Sequence, residues 1–142
     1  MKNHNILEKE GNIEDALKNG DYSYIILFEN VFNPIENILN SFPENSEKEN
    51  NESFRKVLFK NKSPFRIGKI RVEVYYLKNI LVKNKKYIFD KEKFTTIIKG
   101  LCKKHKQSMF LLPMSFATNT FKKEIYEILE TNVHDMKITI LN

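Results

Sequence analysis

Few side chains in this sequence have a type and spacing suited to chemistry. His4, His105 and His134 lie far apart, with no cysteine or carboxylate at ligand spacing, so no metal site is expected. Cys102 is the single cysteine, so no intrachain disulfide framework can form. It falls on an apolar helical stripe, where a thiol behaves as a small hydrophobe rather than a nucleophile. Ser115 stands outside any Gly-x-Ser-x-Gly pattern. What remains is two polar loops and two lysine clusters. The loops read Glu29-Asn30-Val31-Phe32-Asn33-Pro34 and Met114-Ser115-Phe116-Ala117-Thr118-Asn119-Thr120. The clusters are Lys83, Lys85 and Lys86, and Lys103, Lys104 and Lys106. Brought to one face, the clusters would track a phosphate backbone. The second cluster also ends a helical pattern, where it complements the helix dipole without further function.

These residues must be positioned by an alternation of short strands and helices. Ile6 and Leu7 open a strand, and Ile13, Ala16 and Leu17 follow Gly11-Asn12 at helical spacing. Tyr24 to Phe28 is a short apolar run of the kind buried on both faces of a sheet. Asn33-Pro34 starts a helical stripe through Ile35, Ile38, Leu39 and Phe42, and residues 44–52 read as an acidic loop. Phe54 to Phe59 suggests another short helix. Residues 67–77 give the cleanest period-two segment, with Ile70, Val72, Val74 and Tyr76 alternating against Lys69, Arg71, Glu73 and Tyr75. Asp90 is placed to cap a helix carrying Phe94, Ile97, Ile98, Leu101 and Cys102 on one stripe. Ser108 to Leu112 is a second buried-type strand, closed by Pro113. Thr118 or Thr120 then caps a helix bearing Phe121, Ile125, Ile128 and Leu129, and Met136 to Leu141 is a final strand.

This order predicts one α/β domain over residues 1–142, a three-layer αβα sandwich with a central mixed, mostly parallel sheet. A chain of 142 residues can bury a real core, and its 11 Phe and 6 Tyr supply large rings for one. The polar N-terminus has no apolar region of the signal-peptide kind, and no apolar run approaches the roughly 20 residues of a membrane span. A soluble, cytoplasmic protein is therefore expected, without membrane contact or cofactor. The net charge of +6 conceals an asymmetry: residues 1–54 carry 4 lysines against 11 carboxylates, residues 55–142 carry 20 basic against 7 acidic side chains. That distribution hints at an anionic partner. Lysine nevertheless outnumbers arginine 21 to 3, as an AT-rich genome would produce unaided, and arginine is the better reader of phosphate and guanine.

The segments RVEVYYLKN, FTTIIKGLCKKH, MFLLPM, FKKEIYEILE and MKITILN, in that order, resemble a macrodomain, most closely the small branch that removes ADP-ribose from glutamate. Gly11-Asn12-Ile13 sits where the family has Gly-Asp-Ile or Gly-Asp-Leu, with Asn12 in place of the aspartate, and YIILFEN sits where its second core strand leads to its first ligand loop. The resemblance implies an adenine contact at Asn12 and ligand contacts from Asn30, Asn33, Ser115, Phe116, Thr118 and Asn119. It also exposes what is missing. The family cradles diphosphate in glycine-rich loops, yet Gly11, Gly20, Gly68 and Gly100 all lie elsewhere, and Phe32 and Phe116 put bulk into the loops. The family's catalytic lysine position falls near Ile80, with Lys78 and Lys83 close by, and its aspartate position falls near Thr120, which cannot serve as the acid partner.

The expectation is therefore a pseudoenzyme: a non-catalytic, macrodomain-like module with no catalytic residues, binding an ADP-ribose-like nucleotide or a nucleic acid. A residual ADP-ribosyl hydrolase using Lys78 or Lys83 is one alternative. A viral or mobile-element factor that grips a host protein is the other.

Overall fold

The computed structural model describes residues 3–13, 15–16, 20–30, 65–67, 69–81, 87–114, 116–117 and 119–142. The strands are β1 (Ile6–Lys9), β2 (Tyr24–Glu29), β3 (Phe65–Ile67), β4 (Ile70–Tyr76), β5 (Asn79–Leu81), β6 (Tyr87–Phe89), β7 (Met109–Pro113) and β8 (Lys137–Leu141); the long helices are α1 (Lys91–Lys104) and α2 (Asn119–Asn132). The helical stripe from Ile35 to Phe42, the acidic loop and the segment from Phe54 to Phe59 lie outside the described residues.

Among the described residues, six strands form one sheet in the order β1-β8-β7-β2-β4-β3, and β5 pairs with β6 in a separate hairpin. Every neighbouring pair from β1 to β4 is parallel; only β3, at one edge, is antiparallel. The chain is thus α/β with a five-stranded parallel sheet and an antiparallel edge strand. The period-two run expected as continuous strand from Ile67 breaks before Ile70. The chain reverses there, so that Phe65 pairs with Val72 and Ile67 with Ile70.

β2 lies at the centre because nothing in YIILF needs water: Ile25, Ile26, Leu27 and Phe28 are all at most 2% exposed. Strand alternation divides them. Ile26 and Phe28 join a large cluster with Phe94, Ile98, Phe110, Ile125 and Leu129, while Ile25 and Leu27 join a second cluster on the other face with Ile13, Tyr22, Val72 and Leu111. β7 and β8 divide in the same way, Phe110 and Ile138 to the first face, Leu111 and Leu141 to the second.

α1 begins where Asp90 accepts a hydrogen bond at Oδ1 from the Lys93 N–H, 3.0 Å. Its stripe of Phe94, Ile98, Leu101 and Cys102 is buried, with Glu92 in the first turn and Lys103 and Lys104 in the last, each on the side the dipole favours. α2 buries Phe121, Ile125 and Leu129 against the same face. It starts at Asn119, so Thr120 sits within the helix rather than capping it, and Thr118 lies outside the described residues. Both helices hand over to a strand through a left-handed residue, Gln107 (φ 66°) and Asp135 (φ 58°), and the two turns are joined by the Gln107 N–H donating to the Asp135 carbonyl.

Phe28 is the hub of the large cluster. Its ring centroid lies 4.8 Å from Phe116, 5.2 Å from Phe94 and 5.9 Å from Tyr75. Truncation there leaves a void that rings on three elements cannot close together. Phe28→Ala is expected to cost about 3–5 kcal/mol, read as a lower urea midpoint with an unchanged denaturant slope.

Candidate functional site at the carboxyl rim of the sheet

Because β1, β8, β7, β2 and β4 are parallel, their carboxyl ends share one rim. From β2 the chain proceeds outward to β3 and β4; from β7 it proceeds the opposite way to β8. Between β2 and β7 the winding therefore reverses, and open α/β sheets bind ligands in the crevice at such a point. Asn30 follows β2 there, and Met114, Phe116 and Ala117 follow β7.

The two exits are tied together. Asn30 is 2% exposed and its Nδ2 donates to the Phe116 carbonyl, 3.3 Å. The Ala117 N–H donates to the Met114 carbonyl and the Met114 N–H to the Leu141 carbonyl, both 3.0 Å. The Phe116 ring, expected to plug the loop, instead turns inward and is 5% exposed against Phe28 and Phe94. Asn30 and Phe116 come together as a brace under the loop. That corrects Phe116 as a ligand-facing ring: an apolar ring at this turn gains more from the aromatic cluster than from the rim.

Beside this brace an open cavity of about 360 Å³ is lined by Gly11, Asn12, Met114, Ala117, Lys122 and Asn142, among others. Gly11 takes φ +132°, a conformation side chains rarely adopt, and its N–H donates to the Asn142 carbonyl. The Asn142 N–H donates in turn to the Lys9 carbonyl, 2.9 Å, so the ends of β1 and β8 are stitched along the rim. Asn12 caps a helical turn: its Oδ1 accepts from the Asp15 N–H at 2.8 Å, and its Nδ2 donates to Asp15 Oδ2 at 3.1 Å. The cavity thus gathers one cationic side chain, two amides and the main chain around a glycine. None of its described lining residues is an acid, histidine, cysteine or serine, so it offers hydrogen bonds and positive charge to a ligand but no proton-transfer pair.

The other expected residues separate from this cavity. Lys103, Lys104 and Lys106 are exposed, and they precede β7, at the amino rim. The five residues of β7 put about 16 Å between the rims, so one small ligand cannot use both sets. Lys83, Lys85, Lys86, Asn33, Ser115 and Thr118 lie outside the described residues, and Asn119 is described only as the first residue of α2. Lys78 is exposed, not desolvated as a nucleophilic amine requires. Cys102 is 2% exposed, and burial pushes its thiol up, away from the thiolate. The His105 ring packs tilted against Tyr24, centroids 4.4 Å apart, and His134 lies beyond the end of α2. Among the described residues no group of acids, histidines or cysteines could hold a metal ion, and no helix is long and apolar enough to cross a membrane.

Sequence reasoning missed three residues. Lys122 and Asn142 reach the cavity from α2 and from beyond β8; no motif marks them. Glu73, one of the polar positions of the β4 alternation, is only 8% exposed, and its Oε2 and Arg71 Nε are buried with no hydrogen-bond partner among the described residues. Glu73 Oε1 lies 3.8 Å from Arg71 Nε. The i, i+2, i+4 spacing of Arg71, Glu73 and Tyr75 was the available signal. Conversely Tyr76, expected inside, is 47% exposed at the strand end.

No family model, curated protein or solved structure matches this chain.

Two outcomes follow. Burial, reinforced by the Glu73 carboxylate, pushes the Tyr75 hydroxyl from its ordinary 10 up to about 12. The folded state holds that proton more tightly than the unfolded state, so the contribution is full below pH 10 and is lost as pH rises through 12. Stability titrated by urea across that window is expected to fall, and Tyr75→Phe to flatten the fall. Gly11→Ala is expected to cost about 1–3 kcal/mol through backbone strain, read by thermal melting, because its Cβ meets nothing within 4 Å.

Proposed function

We propose that this domain is a non-catalytic binding module of the macrodomain type, holding an ADP-ribose-like nucleotide at the carboxyl rim of its sheet. The observation that carries the reading is the shared cavity: the Gly11-Asn12 turn and the turn leaving β7, the places the resemblance assigns to ligand, line one opening beside the winding reversal. The parallel sheet with one antiparallel edge, and the order strand, helix, strand, helix, strand from β6 onward, support the same reading. So does a second apolar cluster on the face opposite α1 and α2, which an αβα sandwich would bury under its third layer.

The opening, about 360 Å³, is at the small end of the roughly 300–1,000 Å³ usual for ligand pockets. It suits a nucleoside with its first phosphate. Lys122 meets the phosphate charge, and Asn12 and Asn142 meet the base or sugar with neutral hydrogen bonds. Without an acid–base pair in the cavity and with Lys78 in solvent, holding the ligand is favoured over cleaving it. The amino-rim lysines make nucleic acid a poorer fit to this cavity than a single nucleotide.

Calorimetry with ADP-ribose at low salt is expected to give saturable heat, and Lys122→Glu to weaken it at least about tenfold, or ~1.4 kcal/mol. No heat at millimolar ADP-ribose would remove the nucleotide reading. Release of ADP-ribose from a glutamate-modified peptide would overturn the loss of catalysis.

A further inference from the structure

Among the described residues the sheet ends at β1. Backbone groups in a strand alternate sides by residue. The Asn5 carbonyl accepts from the Ile138 N–H at 2.8 Å and the Lys9 carbonyl from the Asn142 N–H at 2.9 Å, so Asn5, Leu7 and Lys9 face β8. Ile6, Glu8 and Glu10 therefore turn their main chain outward. The Ile6 N–H is taken by the Asn3 carbonyl at 3.1 Å. That leaves the Ile6 carbonyl, both groups of Glu8 and the Glu10 N–H along an edge with no other strand beside it among the described residues. Its short length and the charged Glu8 and Lys9 discourage indiscriminate pairing at this edge, but Ile6–Lys9 has neither proline nor a cover among the described residues; its Leu7 is 49% exposed.

Next to this edge runs a groove of about 410 Å³ between β1 and α2. Ile6, Ile140 and Tyr126 supply its apolar walls, and Glu8 and Glu130 its charged rim. The groove is held open. Asn3 Nδ2 donates to the Val133 carbonyl at 2.7 Å, fixing the entry to β1 on the end of α2, and the Tyr126 hydroxyl bonds Asn142 Oδ1 at 3.4 Å. We propose that the β1 edge and this groove dock an extended basic peptide segment of a partner protein, which joins the sheet as an added strand. Its main chain pairs with Glu8, one apolar side chain drops into the groove, and lysines or arginines on either side meet Glu8 and Glu130. A second copy paired symmetrically about Glu8 would set Glu8 opposite Glu8, which charge disfavours.

The test uses two synthetic peptides of alternating residues, lysine with isoleucine and glutamate with isoleucine, titrated into the full chain at low salt. The lysine peptide is expected to bind saturably, to slow exchange of the Glu8 and Glu10 amides, and to bind at least about tenfold tighter than the glutamate peptide. Glu8→Pro removes the outward N–H and keeps the ladder to β8, and it should lower affinity at least about tenfold. If Glu8→Pro fails to fold, Glu8→Lys with Glu130→Lys decides, by reversing the preference between peptides. Equal binding of both peptides, no binding, or binding indifferent to these variants would overturn the proposal. A dimer in sedimentation that Glu8→Pro dissolves would overturn it in favour of self-pairing.

Discussion

The removal of β2 from water on both faces is the constraint the other elements answer to. A strand with four consecutive side chains at 2% exposure or less cannot lie at an edge, and it requires apolar cover on each side. One side is met by α1 and α2 through Phe94, Ile98 and Ile125, the other by Ile13, Tyr22 and their neighbours. Phe28 then makes the connection to function. It touches Phe116, whose carbonyl receives the Asn30 amide, so the depth of the core sets the height of the turn leaving β7.

Much of this was legible in the residues, and the reasons differ by element. β2 and β7 were visible because short runs of Ile, Leu and Phe bounded by turn residues suit buried parallel strands, and β8 because MKITIL alternates. α1 was visible because Asp90 and a stripe from Phe94 to Cys102 specify both where it starts and which side it buries. The break before β4 was not, since the alternation continues through a reversal that period-two counting cannot register. Nor was the burial of Glu73, whose local pattern is that of an ordinary solvent-facing position; only the packing of neighbouring elements covers it. Phe116 shows the same limit at the site. Loop composition announced bulk but not its direction, and direction is set by Phe28 on β2 and Phe94 on α1. Asn12 was legible as polar and turn-forming, and its work as a helix cap is what that residue type does by default.

The two candidate surfaces occupy different parts of the same sheet. The rim cavity takes its residues from loops beyond strand ends, where a scaffold can exchange side chains without touching the core. The β1 groove uses the last strand's own backbone and side chains from α2. Lys122 near the start of α2 and Glu130 near its end place opposite charges toward the two, so a single helix gives each surface its sign.

Pairing Ile6 with Ile138 has a kinetic corollary. Among the described residues β1 has no neighbour in the sheet other than β8, so it gains a hydrogen-bonded ladder only after nearly the whole intervening sequence has collapsed. Contacts of such wide separation are entropically late. The centre of the sheet should consolidate first and its outermost member last, and native-state hydrogen exchange would then find that outermost member the first to let go.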